Sequence, residues 1–290
     1  MAEVRAFLFI NVRKDHDMKS MFTVIKEQIQ SFYLIRRLSM FEMRSANNNN
    51  YLGILWEIIN PGIQIMIYWF VFGFGIRRGE NVQPFDIPFI FWMLSGIMVW
   101  FFINPAVLES SKSIYTRINF ISKMSFPMSV IPSYVIFAKF YQHLMLTGII
   151  LIIFQFTDYK ISPYIIQLPY FMFSLLVLLL ALALVTSTLS TIVRDVQMVI
   201  QSIMRVMLYL TPLLWPPYRF DGKYEWIQTV MQINPFYYIV EGYRAAILGT
   251  EWYFVDHWRY TLYFWAVVIV ILAIGSALHV KFRRHFVDYL

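Results

Sequence analysis

The sequence predicts an all-α, polytopic membrane protein with six transmembrane helices, an N-terminal amphipathic helix at the membrane surface and a re-entrant helical hairpin before the last span. Three observations predict it. The chain is 59% hydrophobic, 19% aromatic and only 14% charged, against about 25% charged residues in an ordinary soluble domain. Its charges gather in short clusters between long charge-free runs, as a bilayer demands of helices that cross it. The basic residues sit mainly beside the ends of those runs, where they set orientation, and form no continuous patch of the kind that binds nucleic acid.

Residues 1–50 are read as a cytoplasmic N-terminal region. Ala6 to Ile10 is the only early apolar run, shorter than the core of about 7–15 residues in a secretory signal, and no small-residue cleavage site follows. Insertion is therefore expected to use the internal spans. From Met21 to Ile35, the residues Met21, Phe22, Ile25, Ile29, Phe32 and Tyr33 recur at helical spacing, with Lys26, Glu27, Gln28 and Gln30 on the other side. This pattern predicts a helix lying in the membrane interface, although a helix packed on a soluble partner would carry the same moment. Arg36, Arg37, Arg44 and the asparagines 47–50 then keep the chain in water ahead of the bilayer.

Residues 51–290 make a six-helix transmembrane domain. Spans of about 20 residues are expected at Tyr51 to Ile76, Ile87 to Leu108, Met128 to Phe156, Tyr164 to Val193, Val196 to Trp215 and Trp258 to Phe282. Residues 109–126 and 193–196 become cytoplasmic loops. Residues 224–248 could pass for a seventh crossing, but Asn234 and Pro235 split the segment, and proline disfavours helix in the residue before it. Parity also decides against a seventh. Six crossings place both termini in the cytoplasm, with roughly fifteen Lys and Arg inside and about six outside. Two half-length helices entering and leaving the outer leaflet fit best, and irregular backbone at that depth must be buried in protein or line a cavity.

Several chemistries lack their residues. No glycine-rich loop ending in Lys and Ser or Thr is present to cradle phosphates, so any ATP and Mg belong to a partner and this chain carries no cofactor. His16, His143, His257, His279 and His285 are scattered, with no metal-ligand spacing. No cysteine occurs, so there is neither a disulfide framework nor a thiolate site. Glu109, Asp158, Glu241 and Glu251 stand near predicted helix ends, where capping is commoner than acid–base catalysis. The chain is not expected to be an enzyme by itself.

An ordered set of short motifs carries a family resemblance. Tyr51-Leu52-Gly53-Ile54-Leu55-Trp56-Glu57, Asn60-Pro61 and Tyr68-Trp69-Phe70-Val71-Phe72-Gly73 resemble the first span of polysaccharide-exporting ATP-binding-cassette permeases. Lys123-Met124-Ser125-Phe126-Pro127 and Val193-Arg194-Asp195-Val196 resemble the family's two cytoplasmic coupling loops. Thr211-Pro212-Leu213-Leu214-Trp215 resembles the outer end of its fifth span. Asn234-Pro235-Phe236-Tyr237-Tyr238 with Glu241-Gly242-Tyr243-Arg244 resembles its re-entrant hairpin. Within the family, residues 47–53 and 72–78 look most like permeases of the wall teichoic acid exporters of Gram-positive bacteria. The resemblance implies a bacterial cytoplasmic membrane protein, a homodimer joined to two nucleotide-binding ATPase subunits, exporting an undecaprenyl-linked polyol-phosphate polymer. An asparagine tract stands where relatives often have a longer basic stretch before the first span.

A polymer too long to be enclosed needs a continuous passage, and polyol or sugar units slide along aromatic faces that bind weakly at many places. Tyr68, Trp69, Phe72, Trp92, Trp100, Phe101, Tyr134, Tyr209 and Trp215 are candidates to line it, although aromatics also gather at membrane interfaces. Lys139 and Arg205, each inside an apolar run, either lower the barrier to phosphate within the passage or pair with a carboxylate. Lys112, Tyr115, Arg117, Ile118, Phe120 and Lys123 form a mixed apolar and basic surface suited to docking the ATPase, with Arg194 and Asp195 as a second contact. The interface helix would carry the motion to the first span. Asn234, Pro235, Tyr238, Glu241 and Arg244 are the expected gate. The rival cargo is another lipid-linked glycan, such as an O-antigen or capsular polysaccharide. An ion-driven transporter would show paired mid-membrane carboxylates and inverted repeats, and a membrane-embedded transferase would need convergent catalytic residues at one bilayer face.

Overall fold

Lipid offers backbone N–H and C=O groups no partners, so the apolar runs close their hydrogen bonds internally as helices. The computed structural model describes residues 14–46, 50–83, 85–121, 127–216, 225–283 and 286, with only the backbone path at 14–18, 118–121 and 225. Among the described residues, five helical stretches are long and apolar enough to cross a bilayer: Gly53–Ile76, Phe89–Arg117, Val130–Gln155, Pro163–Ile192 and Trp258–Phe282. Among the described residues two helices precede them, α1 (Lys14–Gln30) and α2 (Phe32–Ser45), so the single interface helix of the sequence reading is a pair broken at Ser31. Arg36, Arg37 and Arg44 accordingly sit on α2 and not in a water-bound pause.

The first span is assembled from three helical types. A 3-10 turn at Gly53–Leu55 leads into α3 (Trp56–Tyr68), and Trp69–Ile76 continues as a π-helix. Next comes α4 (Phe89–Ile121), whose 33 residues correct the expected loop at 109–126: residues 109–121 prolong the helix, and 122–126 lie outside the described residues. Then follow α5 (Val130–Gln155), a 3-10 turn at Pro163–Gln167 running into α6 (Leu168–Ile192), and α7 (Val196–Leu210).

The fifth expected crossing, α7, is shorter than its apolar run. Fifteen residues span about 22 Å, less than the hydrocarbon core of about 30 Å. It stops because Pro212 forces its predecessor out of helical geometry, and Thr211 is extended at φ −88°, ψ 128°.

The hairpin is α8 (Glu225–Ile233) and α9 (Pro235–Leu248). Asn234 makes the turn, its side-chain oxygen accepting from the Phe236 N–H, with Pro235 at the first helical position, where its missing donor costs nothing. Gly249 closes α9 in the left-handed conformation (φ 70°), where an added Cβ would also lie 2.4 Å from Ser162 Oγ at the head of α6. The chain therefore leaves the hairpin at the end of the bundle where α6 begins, and α9, at 14 residues, spans only about 21 Å. A single turn, α10 (Tyr253–Asp256), precedes the last span, α11 (Trp258–Phe282).

At the centre of the bundle α4 packs on α5, α6 and α9, while α6 packs on α11. α2 lies along α5 and α1 along α11. The first span stands apart: its apolar window is 6% buried against 72% for α4, and it touches the bundle through α4. The interface helices thus pack on the third and last spans, where the sequence reading had them acting on the first.

Candidate functional site

Three features of the bundle bear on function, and each arises from polar residues that an apolar chain must place. The first is at the hairpin. Arg244 is buried on α9, where its Nη1 donates to Glu241 Oε1 at 2.5 Å, its Nη2 to the Pro212 carbonyl and its Nε to the Trp92 carbonyl at 3.4 Å. Gly96, one turn along α4 from Trp92, makes the space, since a Cβ there would lie 2.6 Å from Arg244 Nη2. Asn234 Nδ2 donates to Thr211 Oγ1 at 2.9 Å. Asn234 at the hairpin turn and Arg244 in the second half of α9 are therefore both bonded to Thr211–Pro212, the segment that ends α7. A charge in a low-dielectric site persists only when paired and hydrogen-bonded, so Glu241 and the two carbonyls are what allow Arg244 to sit there. Tyr238 points elsewhere, its hydroxyl lying 2.8 Å from Thr261 Oγ1 on α11 and 3.2 Å from Tyr170 OH on α6. Of the expected gate residues, Asn234, Glu241 and Arg244 converge on the end of α7, while Tyr238 braces α9 against α6 and α11.

The second feature is an open face. On α7, Ser202, Arg205 and Tyr209 are exposed and share one side of the helix, with Met198, Val199 and Val206 exposed around them. On α3, Asn60 and Gln64 are exposed, with Glu57 and Tyr68 half-buried on the same stripe. Facing lipid, Arg205 alone would cost about 2.5–3.5 kcal/mol on the lowest scale. Two sparsely packed apolar segments thus carry the polar stripes. The far ends of these two segments lie close together, since Phe72 and Ile76 of the first span and Leu214 and Trp215 beyond α7 line one cavity. Trp69 is exposed, and Phe72 and Trp215 are half-buried nearer the far ends of the same spans.

The other proposed lining residues face inward. Trp92 and Trp100 belong to the main core and Tyr134 to a smaller cluster with Ile35, Ile114 and Phe286. Phe101 packs against the main core. Trp92, Trp100 and Tyr134 fill the interior of the single chain, and Phe101 is half-buried against it. Lys139 is resolved as an ion pair, its Nζ 3.0 Å from Glu109 Oε1 on α4, so its charge is spent within the bundle.

The third feature is the end carrying the terminal helices. Arg283, just past α11, bonds Glu27 of α1 at 2.6 Å, and Ser129 Oγ, at the head of α5, donates to the same carboxylate at 2.5 Å. Gln28 Nε2 donates to the Ser129 carbonyl at 2.9 Å. Arg117 of α4 is ion-paired with Glu42 of α2 and lies over the Tyr134 ring. Gln197, two residues beyond Asp195, accepts from Ser111 Oγ at 2.6 Å and donates to the Leu108 carbonyl, tying the start of α7 to α4. Lys112, Arg194 and Asp195 are exposed here and Tyr115 is half-buried. The side chains of Ile118 and Phe120 are not described, and Lys123 lies outside the described residues.

Sequence reasoning missed Asn60 and Gln64, although their spacing of four inside an apolar helix is a legible polar stripe. It also missed Glu27, Glu42 and Glu109 as partners, for which a linear sequence holds no signal beyond unpaired charge.

Comparison with known proteins follows the same lines. Residues 33–248 match the family model described as ABC-2 type transporter. The O-antigen export system permease protein RfbA of Myxococcus xanthus is 21% identical over 225 residues, covering 78% of this chain and 84% of that protein. A permease of the same name from Klebsiella pneumoniae is 23% identical over 257 residues, covering 87% of this chain and 93% of its own length. With the matched region reaching from α2 to the end of the re-entrant helix α9, this multi-pass membrane protein belongs to the ABC-2 type transporter family of permeases.

Proposed function

We propose that this chain is the membrane-spanning subunit of an ATP-driven exporter of a lipid-linked polysaccharide, working as a homodimer with two copies of a separate ATPase. The observation that carries the reading is the pair of polar stripes on α3 and α7 (Asn60, Gln64, Ser202, Arg205 and Tyr209), exposed on two sparsely packed apolar segments. Two copies apposed across these faces would remove Arg205 from lipid and enclose a passage with polar and aromatic walls. The relatives named for O-antigen export support a glycan as cargo. The end bearing Lys112, Arg194 and Asp195 is assigned to the cytoplasm and to the ATPase, which would push on α4 and on the α6–α7 turn. The ion pairs there join α1, α2, α4, α5 and α11, so these elements would move together.

A second reading keeps the same machinery and takes a polyol-phosphate polymer of the wall teichoic acid class as cargo. Arg205 on the open face favours it, because a fixed cation lowers the barrier to phosphate in a low-dielectric passage. One experiment tests the assembly and the cargo together. The chain lacks cysteine, so Gln64→Cys or Ile203→Cys should crosslink two copies in membranes, while Ile269→Cys on the exposed face of α11 should not. Vesicles holding the chain and its ATPase should move a lipid-linked glycan on ATP addition. Crosslinking at Ile269 in place of Gln64 would reject the assembly, and absence of ATP-dependent movement would reject the export reading.

A further inference from the structure

α1 and α2 turn one face to the bundle and leave the opposite face exposed. Val24, Ile35 and Ser39 are buried on the inner side, where the two helices pack on α11 and α5. The break at Ser31 barely interrupts the path, since the Ser31 N–H bonds the Glu27 carbonyl at 3.0 Å and the Ile35 N–H bonds the Ser31 carbonyl at 2.9 Å. A single outer stripe therefore runs along both helices at steps of three and four residues. It interleaves the exposed cations Lys19, Lys26, Arg37 and Arg44 with Phe22, Ile29, Tyr33 and Phe41, exposed by 63%, 71%, 71% and 67%.

The charges on that face are of one sign because the acids are turned inward. Among the described side chains of α1 and α2 the carboxylates are Glu27 and Glu42. Glu27 bonds Arg283 and accepts from Ser129, and Glu42 pairs with Arg117. Among the described residues none of the stripe cations forms an ion pair. In sequence the two helices carry mixed charge; the fold sorts it into acids spent on the bundle and bases left outside.

Depth decides what such a face meets. The Phe32 ring meets Phe137 edge-on, with centroids 6.1 Å apart, and Phe137 stands about 10 Å inside the span that begins at Val130. Farther along, Glu42 reaches Arg117, where the apolar stretch of α4 ends. The stripe is therefore level with the last turns of the spans, at the height of the headgroup layer. A subunit working from the cytoplasm would have to displace lipid to cover it. In that layer, apolar side chains sink to the acyl boundary while the long stems of Lys and Arg carry their charges back to the phosphates.

We propose that the outer face of α1 and α2 is a docking surface for anionic phospholipid, in the leaflet on the side assigned above to the cytoplasm, with Lys26 and Arg37 holding headgroups on either side of Ile29 and Tyr33. A zwitterionic headgroup brings its own cation and gains little from fixed ones, whereas an anionic headgroup is attracted by each basic side chain near the surface. The ion pairs of Glu27 and Glu42 fasten the lipid-bound face to α11 and α4. This lipid partner is independent of the polymer exported.

The test uses the full chain with its ATPase in phosphatidylcholine vesicles containing a minor fraction of phosphatidylglycerol. Because the chain lacks cysteine, Ile29→Cys carries a single fluorophore on the stripe, and Ile269→Cys, 56% exposed in the uncharged stretch of α11, carries it elsewhere in lipid. Quenching is compared with brominated acyl chains on the phosphatidylglycerol and on an equal amount of the phosphatidylcholine. At Ile29→Cys phosphatidylglycerol should be preferred about fivefold, and added salt should shrink the preference. At Ile269→Cys the two lipids should quench alike. Lys26→Gln with Arg37→Gln should remove most of the preference, and Lys26→Arg with Arg37→Lys should keep it, with quenching at Ile269→Cys unchanged in both. Equal quenching by the two lipids at Ile29→Cys, a preference indifferent to salt, or one that survives the glutamine pair overturns the docking surface. Quenching there by neither lipid, restored when the ATPase is left out, assigns the face to that subunit and overturns the lipid assignment. Export is not read, so none of these outcomes bears on the function proposed above.

Discussion

The guanidinium carbon of Arg244 lies 3.6 Å from the centroid of the Trp92 ring, the closest cation–aromatic approach among the described residues. One end of this relationship is on the re-entrant helix α9 and the other on α4, the most buried span. Because the same guanidinium also bonds Glu241 and the carbonyl of Pro212, a single side chain locks hairpin, central helix and the end of α7 in one arrangement. Any movement of α7 against the bundle must carry the hairpin with it or break these bonds.

Removing one partner of this network leaves a buried charge without its counterpart. Arg244→Leu should therefore destabilise the chain by about 3–5 kcal/mol, read as a lower melting temperature of the detergent-extracted protein. Replacing Arg244 and Glu241 together by leucine should recover much of that loss, because no orphan charge then remains. Equal melting of the single and double variants would contradict the pairing.

Gly242 faces Phe171 so closely that a Cβ would lie 2.1 Å from the ring. Gly242→Ala should force α9 away from α6, at a cost of about 1–3 kcal/mol. Adding Phe171→Leu should relieve the clash and return the melting temperature toward that of the Phe171→Leu protein. Failure of this rescue would show that the two helices do not meet at Gly242.

At the opposite end, Glu42 and Arg117 join α2 to α4. Arg117→Glu should place two carboxylates together and reduce ATP-dependent export, and Glu42→Arg combined with Arg117→Glu should restore it at least partly. The pair is incompletely buried, with side chains 33% and 24% exposed, so the coupling energy in a double-mutant cycle should be modest, about 1 kcal/mol. Additive effects of the two substitutions would show that the pair transmits nothing.

Arg205 sits on an exposed face and should be dispensable for folding. Arg205→Leu should leave expression and melting unchanged while abolishing export of a phosphate-bearing polymer, and Arg205→Lys should keep it. Unchanged export by the leucine variant would remove Arg205 from the passage.

Much of this architecture was legible because bilayer physics writes itself into linear order. Charge-free runs of sufficient length, such as Tyr260 to Val280, had no alternative to crossing as helices. Asn234-Pro235 had to interrupt a helix, and Pro212 had to end one. The extension of α4 through residues 109–121 was less visible, since its polar residues Glu109, Lys112 and Arg117 resemble a loop until their partners Lys139 and Glu42 are in place. Local spacing could not show that Trp92, Trp100 and Tyr134 are interior, because an aromatic residue in a membrane helix faces lipid, protein or a passage with the same neighbours in sequence.

By itself, then, the sequence determined that the chain enters lipid, where most of its spans begin and end to within a few residues, α4 excepted, and that a broken hairpin precedes the last span. Those properties follow from hydrophobicity, from missing N–H donors and from the need to satisfy backbone groups locally. Only the tertiary structure decided which charges are paired and which stay open, and so distinguished Lys139, held by Glu109, from Arg205, left on an exposed face. The physical reason is that pairing across helices depends on which faces meet, and residues such as Glu27 and Arg283 are brought to 2.6 Å from opposite ends of the chain by packing that no local pattern encodes.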